Sequence, residues 1–308
     1  MNLEAFILGC GGMMPLPNRF LTSVLLRREG ELFLFDGGEG TQVSLRRLNL
    51  RWKKITAIFV SHTHADHVTG IPGLLMLSSQ VDRDDPLYII GPPRLAEYIE
   101  TSRRVLDMYI NYEIVVKEIT EPGIVYQGAG FHVRAFSLRH TKPCMGYAME
   151  EERRPGEFHP QRAEALGVPR GPLWAKLQGG EAVRAAGGKD VRPEDVLGPP
   201  RQGRKFSFVT DTLAFPEIAL DVAESDLLVC EGMFERALEA NAQEKKHMTA
   251  EQAARIALAA RVKKLALIHY SPRYTEFDLK QLLKESQAIF PETVLSRDRA
   301  VFPIEYID

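Results

Sequence analysis

The run Ser61-His62-Thr63-His64-Ala65-Asp66-His67 sets three imidazoles and a carboxylate in one short turn. It follows directly on residues 55–60, Ile-Thr-Ala-Ile-Phe-Val, a short apolar run that reads as a buried strand. A strand end that breaks into a tight turn aims such side chains at one point. Neutral imidazole with carboxylate is a ligand set that zinc, manganese or iron accepts. The run holds three of the eight histidines in the chain. So many ligands in one turn nearly fill one ion and suit two.

Other donors stand at similar positions farther along the chain. His140 follows the apolar run 131–138, Asp211 follows 206–210, and His269 follows 265–268. Taken singly, each reads as an ordinary hydrogen-bonded residue. Their repeated placement at strand termini points to a shared rim, where a rigid scaffold gathers functional groups on its loops. His132 falls inside a strand pattern and His159 in a polar segment, and neither is taken as a ligand.

The 308 residues are 44% hydrophobic, enough for a large core and close to the upper size of one domain. Apolar runs at 5–8, 23–26 and 32–35 read as further strands. Helical periodicity appears at 40–48, 73–77, 93–108, 250–260 and 279–289, and Thr249 with Gln252 offers a capping box. Strands and helices therefore alternate, an α/β pattern. Residues 151–202 break it, being rich in Gly, Pro, Arg and Glu, and read as an arm inserted in a single domain over 1–308. Leu173, Trp174 and Leu177 supply apolar surface for a small folded module there.

A formal net charge of -2 excludes a generally basic coat, so nucleic-acid contact must come from a local patch or from metal ions facing phosphate. Cys10, Cys144 and Cys230 are odd in number and form no C-x-x-C pair, which fits buried thiols in a reducing, cytoplasmic compartment. No segment approaches the roughly 20 apolar residues of a membrane span.

The motifs together resemble the metallo-β-lactamase superfamily and, within it, the ribonuclease Z family of tRNA 3′-end processing endonucleases. The resemblance rests on FDGGEGTQ at 35–42, SHTHADHVTGIPGLL at 61–75, LRHTKPCMGYAM at 138–149, TDT at 210–212, KHMTAEQAA at 246–254 and IHYSPRY at 268–274. It implies an αββα sandwich with a protruding exosite arm. It also implies two zinc ions, with manganese or iron as substitutes. By this resemblance His62, His64 and His140 would hold one ion, Asp66, His67 and His269 the other, and Asp211 would bridge them. Asp36 would orient a ligand from the second shell. His247 would act as the catalytic acid, and Asp66 would accept a proton from water.

The same resemblance implies a zinc-dependent endoribonuclease that removes 3′ trailers from precursor tRNA, working as a homodimer. GVPRGPLWAKLQGGE and PPRQGRK resemble the family's tRNA-gripping arm, with Gly171 and Pro172 filling its Gly-Pro motif. Lys176, Arg184, Arg201, Arg204 and Lys205 are then expected phosphate contacts. Three positions depart from the family pattern. PLPNRFLTS at 15–23 replaces the usual Pro-x-Lys-x-Arg-Asn loop, Val209 and Thr210 precede Asp211 in place of Ser-Gly, and Pro272 stands where a small residue is usual. The alternative is a related hydrolase of small phosphodiesters or sulfate esters on the same core, for which a polar arm has no use.

Overall fold

Side chains that alternate between two apolar environments dominate the strands of the N-terminal half. In the computed structural model, which describes residues 2–80 and 83–306, these strands are β1 (Leu3–Gly9), β2 (Ser23–Arg28), β3 (Glu31–Phe35), β4 (Ile55–Phe59), β5 (Leu87–Gly91) and β6 (Ile114–Glu118). Successive side chains of a strand point to opposite faces. Ala5, Ile7, Phe33, Phe35, Ala57 and Phe59 therefore line one face, and Phe6, Leu8, Leu32, Leu34 and Ile58 the other, all buried. The second set packs with Leu45, Ile71, Leu74 and Leu75 from the helices Thr41–Arg47 and Gly70–Ser79.

The first set meets a second sheet. The chain continues through β7 (Gly123–Gly128), β8 (Phe131–Arg139) and β9 (Pro143–Glu151), then the short β10 (Val183–Arg184) and β11 (Asp190–Val191). It goes on to β12 (Lys205–Val209), β13 (Leu227–Glu231), β14 (Leu265–Ile268), β15 (Thr293–Leu295) and β16 (Val301–Pro303). Seven strands form each large sheet, in the orders β16-β1-β2-β3-β4-β5-β6 and β15-β14-β13-β12-β9-β8-β7. Aromatic rings fill the space between them, with centroids 5.1 Å apart for Phe35 and Phe206 and 5.4 Å for Phe59 and Tyr147. The Tyr147 hydroxyl donates to the Val60 carbonyl at 2.6 Å, so the aromatic layer also ties the two sheets by a hydrogen bond.

The helix Ala250–Ala259 lies against β13, β14 and the helix Leu279–Gln287. Its expected capping box is formed: the Thr249 hydroxyl accepts from Gln252 N–H, and the Gln252 side chain accepts from Thr249 N–H. Helices outside two face-to-face sheets make the αββα sandwich that the resemblance implies.

Residues Glu151–Arg204, with Tyr306, form a separate compact unit. Its core is Ala163, Val168, Leu177, Val183, Val191 and Val196, bordered by Phe158, Leu173 and Trp174. The Trp174 indole donates to the Val168 carbonyl at 3.0 Å. Two of the expected phosphate contacts are otherwise engaged. The Arg204 guanidinium is buried, pairs with the Glu151 carboxylate at 2.8 Å and lies over the Tyr306 ring, while Lys205, in β12, pairs with Glu150 at 3.2 Å. Burial and the pairing with Glu151 turn the Arg204 guanidinium inward, away from solvent. Among the described residues, no helix is long and apolar enough to cross a membrane.

Candidate metal centre

Where β3 ends, Asp36 turns into the left-handed region, with φ of 55°. Its buried carboxylate accepts three hydrogen bonds of 2.7 Å, from Ser61 N–H, from the Ser61 hydroxyl and from His67 Nδ1–H. One side chain thus fixes both ends of the histidine-rich turn. Close backbone packing holds the same turn from below: a Cβ on Gly70 would stand 2.2 Å from the Gly38 carbonyl oxygen. Asp36 therefore both orients a histidine and stiffens the turn.

Several other imidazoles are anchored through one nitrogen in the same way. The Ser61 hydroxyl is already spent as a donor to Asp36, so it accepts from His62 Nδ1 at 3.0 Å. His140 Nδ1–H donates to the Lys246 carbonyl at 2.9 Å, and His247 Nδ1–H to Glu231 at 3.2 Å. An imidazole that donates through Nδ1 and is neutral carries a bare lone pair on Nε2. In His62, His67 and His140 that nitrogen points into the cluster.

The inward atoms fall into two groups. His62 Nε2 lies 2.9 Å from His64 Nδ1, which lies 3.2 Å from His140 Nε2. On the other side, His269 Nε2 is 3.2 Å from His67 Nε2 and 3.3 Å from Asp66 Oδ2. Asp211 stands between them. Its Oδ2 is 3.6 Å from His62 Nε2 and 3.7 Å from His140 Nε2, and its Oδ1 is 3.3 Å from His67 Nε2 and 3.1 Å from His269 Nε2. Donors that share one tetrahedral zinc are about 3.4 Å apart. Lone pairs of neutral imidazoles converging at these distances repel unless a cation lies among them, so the donor set fits divalent metal.

The electrostatics agree. Burial pushes His62 well below the usual imidazole range and lowers His64 and His140 as well, which keeps all three neutral. Burial alone would raise Asp211, yet the neighbouring His269, His67 and His62 hold it well below the carboxylate range, so it stays ionised. Burial opposes charge on His67, but Asp211 and Asp36 push it upward against that effect, the mark of a pocket built for positive charge. The side chains of His62, His67 and His269 are fully buried, and those of His140 and Asp211 are 2% and 3% exposed.

All seven expected ligands thus converge, and His247 stands beside them with Nε2 3.9 Å from Asp211 Oδ2. Burial would lower His247, but Glu231 outweighs it and, with Asp211, lifts it to about 9. His132 lies in β8 near Glu150, and His159 precedes a helix of the second unit, so neither joins the cluster. Sequence reading missed Glu231, whose buried carboxylate accepts from Thr212 N–H at 2.7 Å as well as from His247. An acidic residue closing the apolar strand LLVCE was the available signal. Also unforeseen is the loop after β1. Met13 N–H donates to Asp66 Oδ2 at 2.7 Å, and a Cβ on Gly12 would collide with the His269 ring at 2.5 Å.

Residues 3–152 match a family model described as anti-Pycsar protein Apyc1, and 178–270 match one described as a beta-lactamase superfamily domain. A ribonuclease Z from Treponema denticola is 71% identical over the whole of both chains. The chain belongs to the ribonuclease Z family. A ribonuclease Z from Methanosarcina acetivorans is 42% identical, with 99% of each chain covered. The short form of human tRNase Z is similar in three dimensions, with a TM-score of 0.72 at 26% identity over 98% of this chain and all of that one. This member of the ribonuclease Z family is an endoribonuclease, a phosphodiester hydrolase whose His and Asp cluster is a site for divalent metal.

Proposed function

We propose that the chain removes 3′ trailers from precursor tRNA in the cytoplasm and holds two zinc-class cations, one by His62, His64 and His140, the other by Asp66, His67 and His269, with Asp211 shared. The observation that carries this reading is the division of the Asp211 oxygens between the two sets of inward-facing nitrogens. When bound, such a pair of ions lowers the pKa of water and neutralises charge on a phosphate.

The protein's own groups do the rest. Water attacks phosphorus in line with the departing O3′ of the discriminator nucleotide, and the P–O3′ bond breaks. The tRNA keeps a 3′-hydroxyl and the trailer a 5′-phosphate. The departing oxygen needs a proton, and His247 supplies it from Nε2. Glu231 holds the ring through Nδ1 and keeps it protonated at neutral pH. Asp66 is held below the usual carboxylate range despite burial, through its hydrogen bond to His269 and the charge of His67. It therefore stays ionised, free to bind a cation and to accept a hydrogen bond that orients the attacking water.

The second unit, with Gly171 and Pro172 preceding the exposed Lys176, is read as the exosite arm that grips the tRNA away from the cut. The working molecule is read as a homodimer. Purified protein should cut a trailer-bearing precursor once, after the discriminator, and mapping the ends should give 3′-hydroxyl and 5′-phosphate. A chelator should abolish the cut, and zinc or manganese should restore it. Cleavage that survives chelation would overturn the reading.

A further inference from the structure

Beside the metal centre, a groove of about 540 Å³ runs between the histidine-rich turn and the helix Leu95–Val105. Thr63, the residue between His62 and His64, lines it, so the groove adjoins the histidine-rich turn. The exposed Lys142 bounds it and donates to the Thr63 carbonyl at 3.0 Å, which fixes the ammonium two residues after His140. Arg94 stands on the far rim, paired with Glu97 at 2.9 Å, so Lys142 is the less committed cation of the two.

The lining is otherwise unlike a simple anion site. Tyr98 is anchored by its hydroxyl to the Val68 carbonyl at 2.9 Å, and Val105 and Leu106 are 67% and 56% exposed. Apolar and aromatic surface beside a fixed cation suits a nucleobase above and a phosphate alongside. A space of this size admits single-stranded residues.

We propose that this groove is the binding site for the unpaired nucleotides of the trailer beyond the first, with Lys142 on a phosphate and Tyr98, Val105 and Leu106 under a base. The proposal rests on the precursor tRNA reading above. In such a substrate the acceptor stem is paired almost to the cut, so the trailer is the flexible single strand long enough to occupy the groove.

The test compares kcat/KM for precursors ending in a one-nucleotide trailer or in a long unpaired one, with bis-p-nitrophenyl phosphate as the small control. Wild type should prefer the long trailer by at least about fivefold, the lower end of what one stacked base contributes. Lys142→Ala, and separately Val105→Asp with Leu106→Asp, should erase that preference. Each variant should cleave the one-nucleotide precursor and the small diester at the wild-type rate. Wild type indifferent to trailer length would overturn the proposal, as would variants that keep the preference or lose all three substrates equally. Wild type that hydrolyses the small diester but no precursor would instead overturn the tRNA reading itself.

Discussion

His247 and Glu231 pair beside Asp211, and their separate roles are measurable. A general acid contributes about 10²- to 10⁴-fold when the leaving group is a poor one. His247→Ala should therefore slow RNA cleavage by that order while zinc content stays at the wild-type level. With an activated nitrophenyl diester, whose leaving group needs no proton, the loss should be small. Equal loss on both substrates would assign His247 to structure. Asp36→Asn tests the other buried carboxylate. The amide cannot serve all three donors that Asp36 satisfies, and loss of such an orienting partner lowers metal affinity by about 10- to 100-fold. Competition with a chromogenic chelator measures this, and unchanged affinity would refute the orienting role. At this scale the converging side chains were legible because His, Asp and strand ends coincide. Glu231 was not, because its partners His247 and Thr212 are 16 and 19 residues away and nothing local marks its burial.

The elements explain why the donors meet. β3 and β4 are parallel neighbours, so Asp36 and the turn after Phe59 emerge at the same end. β12, β13 and β14 are parallel neighbours too, which brings the residues after Val209 and Ile268 to one end together with Glu231. Parallel strands present their C-terminal ends on one edge, and each of these ends carries a functional side chain. The apolar runs foretold most of these strands, and Thr249 with Gln252 foretold a helix start, since both signals are local. The pairing of β16 with β1 was invisible because it joins opposite ends of the chain. The pairing of Arg204 with Glu151 was hidden for the same reason, its partner lying 53 residues earlier.

The second unit offers its own test. Backbone hydrogen bonds of 2.8 and 2.9 Å join Arg154 and Arg201, so a short turn can replace the residues between them. If this unit is an exosite, its removal takes away one of two linked binding modules, and precursor cleavage should fall at least about a hundredfold in kcat/KM. Hydrolysis of a small phosphodiester should stay at the wild-type rate. Undiminished precursor cleavage would contradict the exosite role.

Across the whole molecule, the cluster is assembled from residues as far apart as His67 and His269, 202 positions along the chain. The inter-sheet core around Phe35, Phe59, Tyr147 and Phe206 keeps the two sheets, and hence the two sources of donors, in fixed register. Burying that many imidazoles and carboxylates costs several kcal/mol per charged group unless the charges are paired or coordinate metal. That cost is why the cluster is best understood as an ion-holding device whose scaffold is the sandwich.

The most direct measurement is elemental analysis of purified protein equilibrated with zinc. Wild type should hold two ions per chain, His140→Ala and His269→Ala one each, and Asp211→Ala fewer than two. Folded wild-type protein that saturates with a single ion, or a His140→Ala variant that keeps both, would contradict a shared carboxylate joining two metal sites.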